Sequence, residues 1–400
     1  MDKRARKRHI VALARERARP VADRDANAAG VFTTNLVKAA PVILGEAMVL
    51  EQPTRVRGVF AVSGCANAMT GTDGIEDNRT ILAAAEAEFG LPDRTLLPAC
   101  TGVIGPRIPV DRIVRAIPSL RGALAHGIEG SERAAHAILT TDTRVKQSAV
   151  RVRLSDGTVV RVGGIAKGSG MIAPHLAPPH ATTLGFLTTD ARVGPAALGR
   201  VLARAAERTF NMVNVDGDMS TNDTVYLLAN GAAGGQTADD DEVFAGAVGT
   251  VMESLARQIA RDGEGATKLL TVTVEGAHTL ADARAAARAV VGSTLVKAAV
   301  FGADPNVGRI AAALGYSGAR LDPARLSVHL ERKRGDLPLI VDGQPVRTLE
   351  NGGAIRVRDL LRQLDEVPLK IHLHQGRSRA TAWGCDLSYA YVQINAAYRT

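Results

Sequence analysis

The stretch GGIAKGSGMIAPHLAPPHATTLGFLTTD, residues 163–190, holds the densest chemistry of the chain. It begins where a β-hairpin ends. Residues 150–154 alternate apolar and basic side chains, Ser155, Asp156 and Gly157 make a turn, and residues 158–162 return as a second strand. Gly163, Gly164, Gly168 and Gly170 allow sharp turns around one cation, Lys167. Pro174, Pro178 and Pro179 then stiffen the approach to Ala181, Thr182 and Thr183. The hydroxyls and the lysine therefore sit in a segment expected to be neither regular helix nor regular strand. An exposed Gly/Pro loop is the plain reading; a phosphate cradle and a nucleophile loop are the alternatives. Lys-Gly-Ser-Gly has the wrong order for a phosphate loop. The Gly-x-Ser-x-Gly nucleophile elbow is missing.

Outward from this stretch the pattern is mixed. Residues 194–210 and 245–260 carry apolar stripes at helical spacing, residues 269–274 alternate as a strand does, and a helix is expected over 280–291. Further strands are expected at 337–341 and 369–374. On the N-terminal side, residues 28–44 are short apolar segments whose Thr and Val suit strands. Residues 57–68 read as a buried strand running into a turn, and residues 76–89 as a helix stopped by Gly90 and Pro92. The tail before Pro20 looks helical. Strands and helices come in clusters with hairpin links, which favours an α+β layered body over a parallel βαβ fold. No period of about 20–50 residues recurs, so a solenoid is not expected.

The chain has 400 residues, enough for two or three compact units at roughly 150 each. Hydrophobic residues make up 46% and charged residues 22%, which argues against wholesale disorder. Aromatics are 3%, so the core is expected to be built from Ala, Val, Leu and Ile. A net charge of +8 raises the question of a nucleic-acid partner. Residues 1–20 hold eight basic and two acidic side chains, so most of that charge is local and the body is close to neutral. Only Ile10 to Ala14 are apolar before Arg15, too few for the apolar core of about 7–15 residues that a secretory signal needs. No apolar run reaches the roughly 18 residues of a membrane span. Cys65, Cys100 and Cys385 form a sparse, odd set that fits a reducing cytoplasm.

Four other features carry chemical interest. Thr101 and Gly102 end an apolar run, and a hydroxyl with a backbone N–H can stabilise an oxyanion, although such pairs are common in turns. Residues 216–223 are very polar but lack calcium-loop spacing and its closing Glu, so a hydrogen-bonded turn is expected. His372 and His374 fall on one face of a strand with no further ligand at metal spacing. Cys100 lacks a local nucleophile signature.

Ten segments, taken in order, carry a family resemblance: AAGVFTTNLVKAAPV (28–42), SGCANAMTG (63–71), CTGVIG (100–105), TTDT (140–143), GGIAKGSGMI (163–172), ATTLGFLTTDA (181–191), NVDGDMSTNDT (214–224), GEGATK (263–268), STLVKAAVFGADPNVGRI (293–310) and ATAWGCDLSYAYVQINAAYRT (380–400). Together they resemble the ornithine acetyltransferases, also called glutamate N-acetyltransferases, of arginine biosynthesis. The resemblance implies an α/β fold, an α+β layered sandwich of the self-processing N-terminal-nucleophile kind, with a smaller C-terminal α/β unit at about residues 270–400. It implies a cut between Ala181 and Thr182, giving an α chain (28–181, behind a basic tail at 1–27) and a β chain (182–400). Thr182 would be the nucleophile, with Thr101 and Gly102 at the oxyanion. Thr141, Lys167, Thr182, Glu264, Asn395 and Thr400 would bind substrate, Lys167 meeting a carboxylate and Glu264 an ammonium. The implied reaction moves acetyl from N-acetylornithine to glutamate by ping-pong chemistry; some relatives also use acetyl-CoA. No cofactor or metal is implied. The expected assembly is a cytoplasmic (αβ)₂ heterotetramer without membrane or nucleic-acid partners. The alternatives are a self-cleaving amidohydrolase or aminopeptidase on a related scaffold, and an acetyltransferase for another amino acid. Residues 173–180 make a loop four residues longer than the family pattern, and Thr183 stands where a Met usually follows the nucleophile.

Overall fold

A six-stranded sheet divides two hydrophobic cores among the described residues. The computed structural model describes residues 10–13, 24–125, 127–173, 176–177, 183–346 and 353–397. Its central sheet runs in the order Lys146–Arg153, Val159–Lys167, Leu184–Thr189, Thr224–Ala229, Asn27–Thr33, Leu176–Ala177. Leu184–Thr189 and Thr224–Ala229 pair in parallel, and the other neighbours are antiparallel. Side chains alternate across a strand with period two. Val160, Val162, Leu187, Val225 and Leu227 therefore enter one core, while Phe32, Ile165, Leu184, Phe186 and Tyr226 enter the other. Burial on both faces explains why these strands read as apolar runs with few polar positions.

The first core is closed by helices Pro195–Arg208 and Glu242–Arg261 and by a seven-stranded sheet. That sheet runs Gln344–Pro345, Leu337–Val341, Ser327–Leu330, Glu366–His372, Leu269–Ala277, Ser378–Cys385, Val213–Asn214. Helix Leu280–Gly292 packs on its Leu269–Ala277 and Ser378–Cys385 strands. The second core lies between the central sheet and a three-stranded sheet, Ile10–Leu13, Gly58–Cys65, Leu96–Val103. Helix Ala40–Glu51 packs against both Asn27–Thr33 and Leu96–Val103. Few aromatics are available, and three of them meet here: Tyr226 stacks on Phe186 and meets Phe32 edge-on. The Tyr226 hydroxyl donates to the Pro98 carbonyl at 3.0 Å, joining the two sheets and satisfying a buried phenol.

The architecture is the mixed α/β, layered arrangement expected from the sequence. Several local readings are corrected. Residues 40–51 form a helix where strands were expected; Pro41 sits in its first turn, where a missing N–H does no harm. Ile10–Leu13 is a strand paired with residues 59–62, so that part of the tail is not helical. The 163–190 stretch is more regular than its composition suggests. One strand continues to Lys167, and Leu184–Thr189 is a central strand with a partner on each side. The 366–372 strand ends before His374, whose φ of 54° turns the chain, so the two histidines do not share a strand face. The His374 N–H instead donates to His372 Nδ1 at 3.1 Å.

Candidate active site

Six of the sequence-selected residues, Thr101, Gly102, Thr141, Lys167, Glu264 and Asn395, line a single cavity of about 240 Å³. They come from five separate parts of the chain. Thr101 and Gly102 end the Leu96–Val103 strand, beside a register shift at Gly64 and Cys65 of the neighbouring strand. Such bulges bend a strand and redirect what lies beside it. Gly102 has φ 131°, and a Cβ there would overlap the backbone of Gly64. No L side chain fits that position, so the two strands approach closely there.

Lys167 is the last residue of its strand. Its ammonium donates to Thr101 Oγ1 at 3.3 Å and lies 3.9 Å from Asp142 Oδ2. Asp142 and Lys146 belong to a buried cluster behind this contact. Lys146 Nζ reaches Asp142 Oδ1 at 2.7 Å and Asp262 Oδ2 at 2.6 Å, with all three side chains at most 5% exposed. Asp142 also accepts from the Gly168 N–H at 2.7 Å. Asp262 accepts from the Thr143 N–H and hydroxyl and from the Arg144 N–H. Burial alone would raise the Asp142 pKa, but the Lys167 and Lys146 charges and the hydrogen bonds outweigh it and hold the pKa at about 2. Asp142 is therefore a fixed anion that orients Lys167.

Glu264 follows the Glu242–Arg261 helix and is buried. Its N–H donates to the Ser169 carbonyl at 2.9 Å, and its carboxylate accepts from Asn395 Nδ2 at 2.8 Å. The carboxylate lies against Gly170, where any Cβ would displace it. The glycines flanking Lys167 thus have two uses, one turning the chain and one making room for Glu264. Asn395 is carried by the C-terminal helix Tyr389–Ala397.

The polar loop after Asn214 supplies residues that sequence reasoning left as a turn. Asp216, Asp218, Ser220 and Asn222 all line the cavity, together with Thr183 and Tyr391. Asp216 accepts from the Met171 and Ile172 N–H groups at 2.6 and 2.9 Å, and burial raises its pKa. Burial, reinforced by the Asp216, Asp218 and Glu264 charges, likewise raises the Tyr391 pKa. Asn222 Nδ2 donates to the carbonyls of Ala66 and Cys100, tying together the ends of the two strands that carry the Thr101 corner. The acidic residues of the loop, and its place among the segments that carry the family resemblance, were the sequence signals for it.

The cavity has a cation beside Thr101 and carboxylates beside Asn395 and Tyr391. It suits a small molecule with an anionic and a cationic end. Cys100 is buried and its thiol pKa is raised by desolvation and by Cys65, which keeps it protonated and unsuited to attack. Ala181, Thr182 and Thr400 lie outside the described residues, as do residues 1–9 and 14–23 of the basic tail. Thr183, next in the chain after Thr182, is buried in the cavity wall. Among the described residues no three His, Cys, Asp or Glu side chains are grouped to hold a metal ion. No described helix is long and apolar enough to cross a membrane.

Comparison with known proteins places this geometry in context. Residues 13–400 match the model of the ArgJ family. The chain is 50% identical over 377 residues to the arginine biosynthesis bifunctional protein ArgJ of Symbiobacterium thermophilum, covering 93% of this chain and 89% of that one. It is 42% identical over 380 residues to the glutamate N-acetyltransferase of Methanocaldococcus jannaschii, covering 95% and 93%. Among solved structures it is similar to the arginine biosynthesis bifunctional protein argJ of Bacillus halodurans, at 38% identity and a TM-score of 0.48, over 53% of this chain and 97% of that one.

Proposed function

Because the chain belongs to the ArgJ family, we propose that it is a glutamate N-acetyltransferase of arginine biosynthesis, moving the acetyl group of N-acetylornithine to glutamate. The observation that carries this reading is the convergence of Thr101, Gly102, Thr141, Lys167, Glu264 and Asn395 on one cavity whose wall includes Thr183. In the proposed cycle the precursor first cuts itself between Ala181 and Thr182. The Thr182 hydroxyl attacks the Ala181 carbonyl, and water resolves the resulting ester. The freed α-amine of Thr182, with a pKa of about 8, is then partly neutral at pH 7 and takes the hydroxyl proton.

Thr182 next attacks the acetyl carbonyl and ornithine leaves. The amine of glutamate attacks the acetyl-threonine and regenerates the hydroxyl. Both steps develop an oxyanion, which the Thr101 hydroxyl and the Gly102 backbone N–H stabilise. Lys167 holds a substrate carboxylate. Glu264, fixed by Asn395, meets the ornithine ammonium, with Thr141 and the Thr400 end completing the substrate set. Acetyl-CoA enters the proposal as a second donor to the same threonine. The α and β chains stay together in an (αβ)₂ assembly in the cytoplasm, a location that suits three buried free thiols.

The test incubates purified enzyme with N-acetylornithine, with and without glutamate, and with acetyl-CoA in a parallel reaction. N-acetylglutamate should form only when glutamate is present. Acetate released at the same rate without glutamate overturns the transferase reading in favour of hydrolysis. The Thr182→Ala variant should run as one full-length band on a denaturing gel and transfer no acetyl group; substantial turnover would place the nucleophile elsewhere.

A further inference from the structure

The buried Lys146–Asp142–Asp262 cluster has a second face. Behind it lies another cavity, about 660 Å³ in volume, whose lining includes Arg144, Lys146, Arg257, Arg261, Glu253 and Asp262. That volume falls within the range of about 300–1,000 Å³ typical of small-molecule sites. Its cations are not equivalent. Lys146 is neutralised within the cluster. Arg257 is held by both oxygens of Glu366, at 3.0 and 3.1 Å. Arg144 and Arg261 line the same cavity, and neither has an ion pair among the described residues.

The two cavities share two stretches of chain. Thr140 and Thr141 line the catalytic cavity, and Arg144 and Lys146, a few residues on, line the outer one. Gln258, Arg261 and Asp262 line the outer cavity, and Glu264 lines the catalytic one. Asp262 clamps the two stretches together through the Thr143 and Arg144 N–H groups and Lys146. A ligand bridging Arg144 to Arg261 would tighten the same clamp from outside. Asp142, and through it Lys167 and Thr101, lie on the other side.

We propose that the outer cavity is an effector site for a small polyanion bearing carboxylate or phosphate groups, held between Arg144 and Arg261 and read out at Lys167 and Glu264. Guanidinium groups bind both kinds of oxyanion through paired N–H donors. An effector acts only through its different affinity for two states of the protein, and substrate must then alter effector affinity by the same factor.

The test uses citrate and pyrophosphate as probes on the purified enzyme. Calorimetric titration should show binding of at least one of them, and their relative affinity separates a carboxylate ligand from a phosphate one. The Arg144→Gln/Arg261→Gln double variant should lose that binding by about tenfold or more, with basal acetyl transfer and melting temperature unchanged. In the wild type the bound anion should shift kcat or the donor KM by about fivefold or more, and this shift should vanish in the double variant. Absence of binding by both anions overturns the proposal. So does binding that survives in the double variant, that competes directly with N-acetylornithine, or that leaves transfer unaltered. The binding arm is independent of the reaction, so an enzyme that binds the anion but transfers no acetyl group contradicts the proposed function and not this site.

Discussion

The Lys167 ammonium donates to Thr101 Oγ1, so the threonine oxygen is the acceptor in that contact and its own proton is left to point elsewhere. Thr101 lines the cavity, and in the proposed mechanism its remaining proton meets the developing oxyanion. Replacing Thr101 by Val keeps the volume and removes only the hydroxyl. The expected outcome is a fall in kcat of about 10²–10³ with little change in KM, because one oxyanion donor of this kind has that worth. Steady-state kinetics on the purified variant, with its melting curve as control, checks it. A rise in KM at unchanged kcat would mean that the hydroxyl binds the ground state and not the transition state. Gly102 allows no such conservative change, since every side chain there meets the Gly64 backbone.

At the scale of elements, the Thr101 corner is held by a loop far away in the chain. Asn222 satisfies the Ala66 and Cys100 carbonyls at once, and the Thr221 hydroxyl donates to its Oδ1 at 2.6 Å, which fixes the amide orientation. Asn222→Ala strands two buried carbonyls, each worth about 1–3 kcal/mol when left unsatisfied. The expected result is a loss of about 2 kcal/mol or more in stability by denaturant unfolding, together with a fall in kcat. Combined with Thr101→Val, the rate effects should be less than additive, because both changes act on the same corner of the cavity, the proposed oxyanion site. Additive effects would separate Asn222 from catalysis. This pairing also shows what could be read from the linear chain. Thr101, Gly102 and Lys167 stand in compact Gly-rich motifs that drew attention on residue type alone, and Glu264 was reached only through the family resemblance; the structure brings all four to one cavity. Asn222 and Asp216 act through partners tens to more than a hundred residues away, so their loop looked like an ordinary turn. Helix 40–51 was missed for a related reason: its apolar run is dictated by two flanking sheets and shows no helical period.

The whole molecule is held together across the proposed cut. Strands at 27–33, 146–153 and 159–167 precede residue 181, strands at 184–189 and 224–229 follow it, and the two later strands lie side by side between earlier ones in one sheet. The second core comes mostly from residues before the proposed cut and the first mostly from residues after it, but both pack on this shared sheet, so residues 1–181 and 182–400 should co-elute on size exclusion at neutral pH while separating on a denaturing gel. The buried cluster spans the same junction, with Asp142 and Lys146 on one side and Asp262 on the other. Its contribution depends on pH in a definite sense. Asp142 has a folded pKa of about 2 against about 3.9 in the unfolded chain, so the folded state favours the anion. That stabilisation is fully present above about pH 4 and is lost as pH falls toward about 2, where the unfolded chain has taken up the proton first. One such proton changes stability by up to about 1.4 kcal/mol per pH unit in this window. Unfolding of the wild type between pH 4 and pH 2 should therefore be steeper in pH than that of Asp142→Asn, whatever the absolute stability of the variant. Parallel pH profiles would show that Asp142 titrates alike in the folded and unfolded chains and that Lys146 and Lys167 do not hold it ionised.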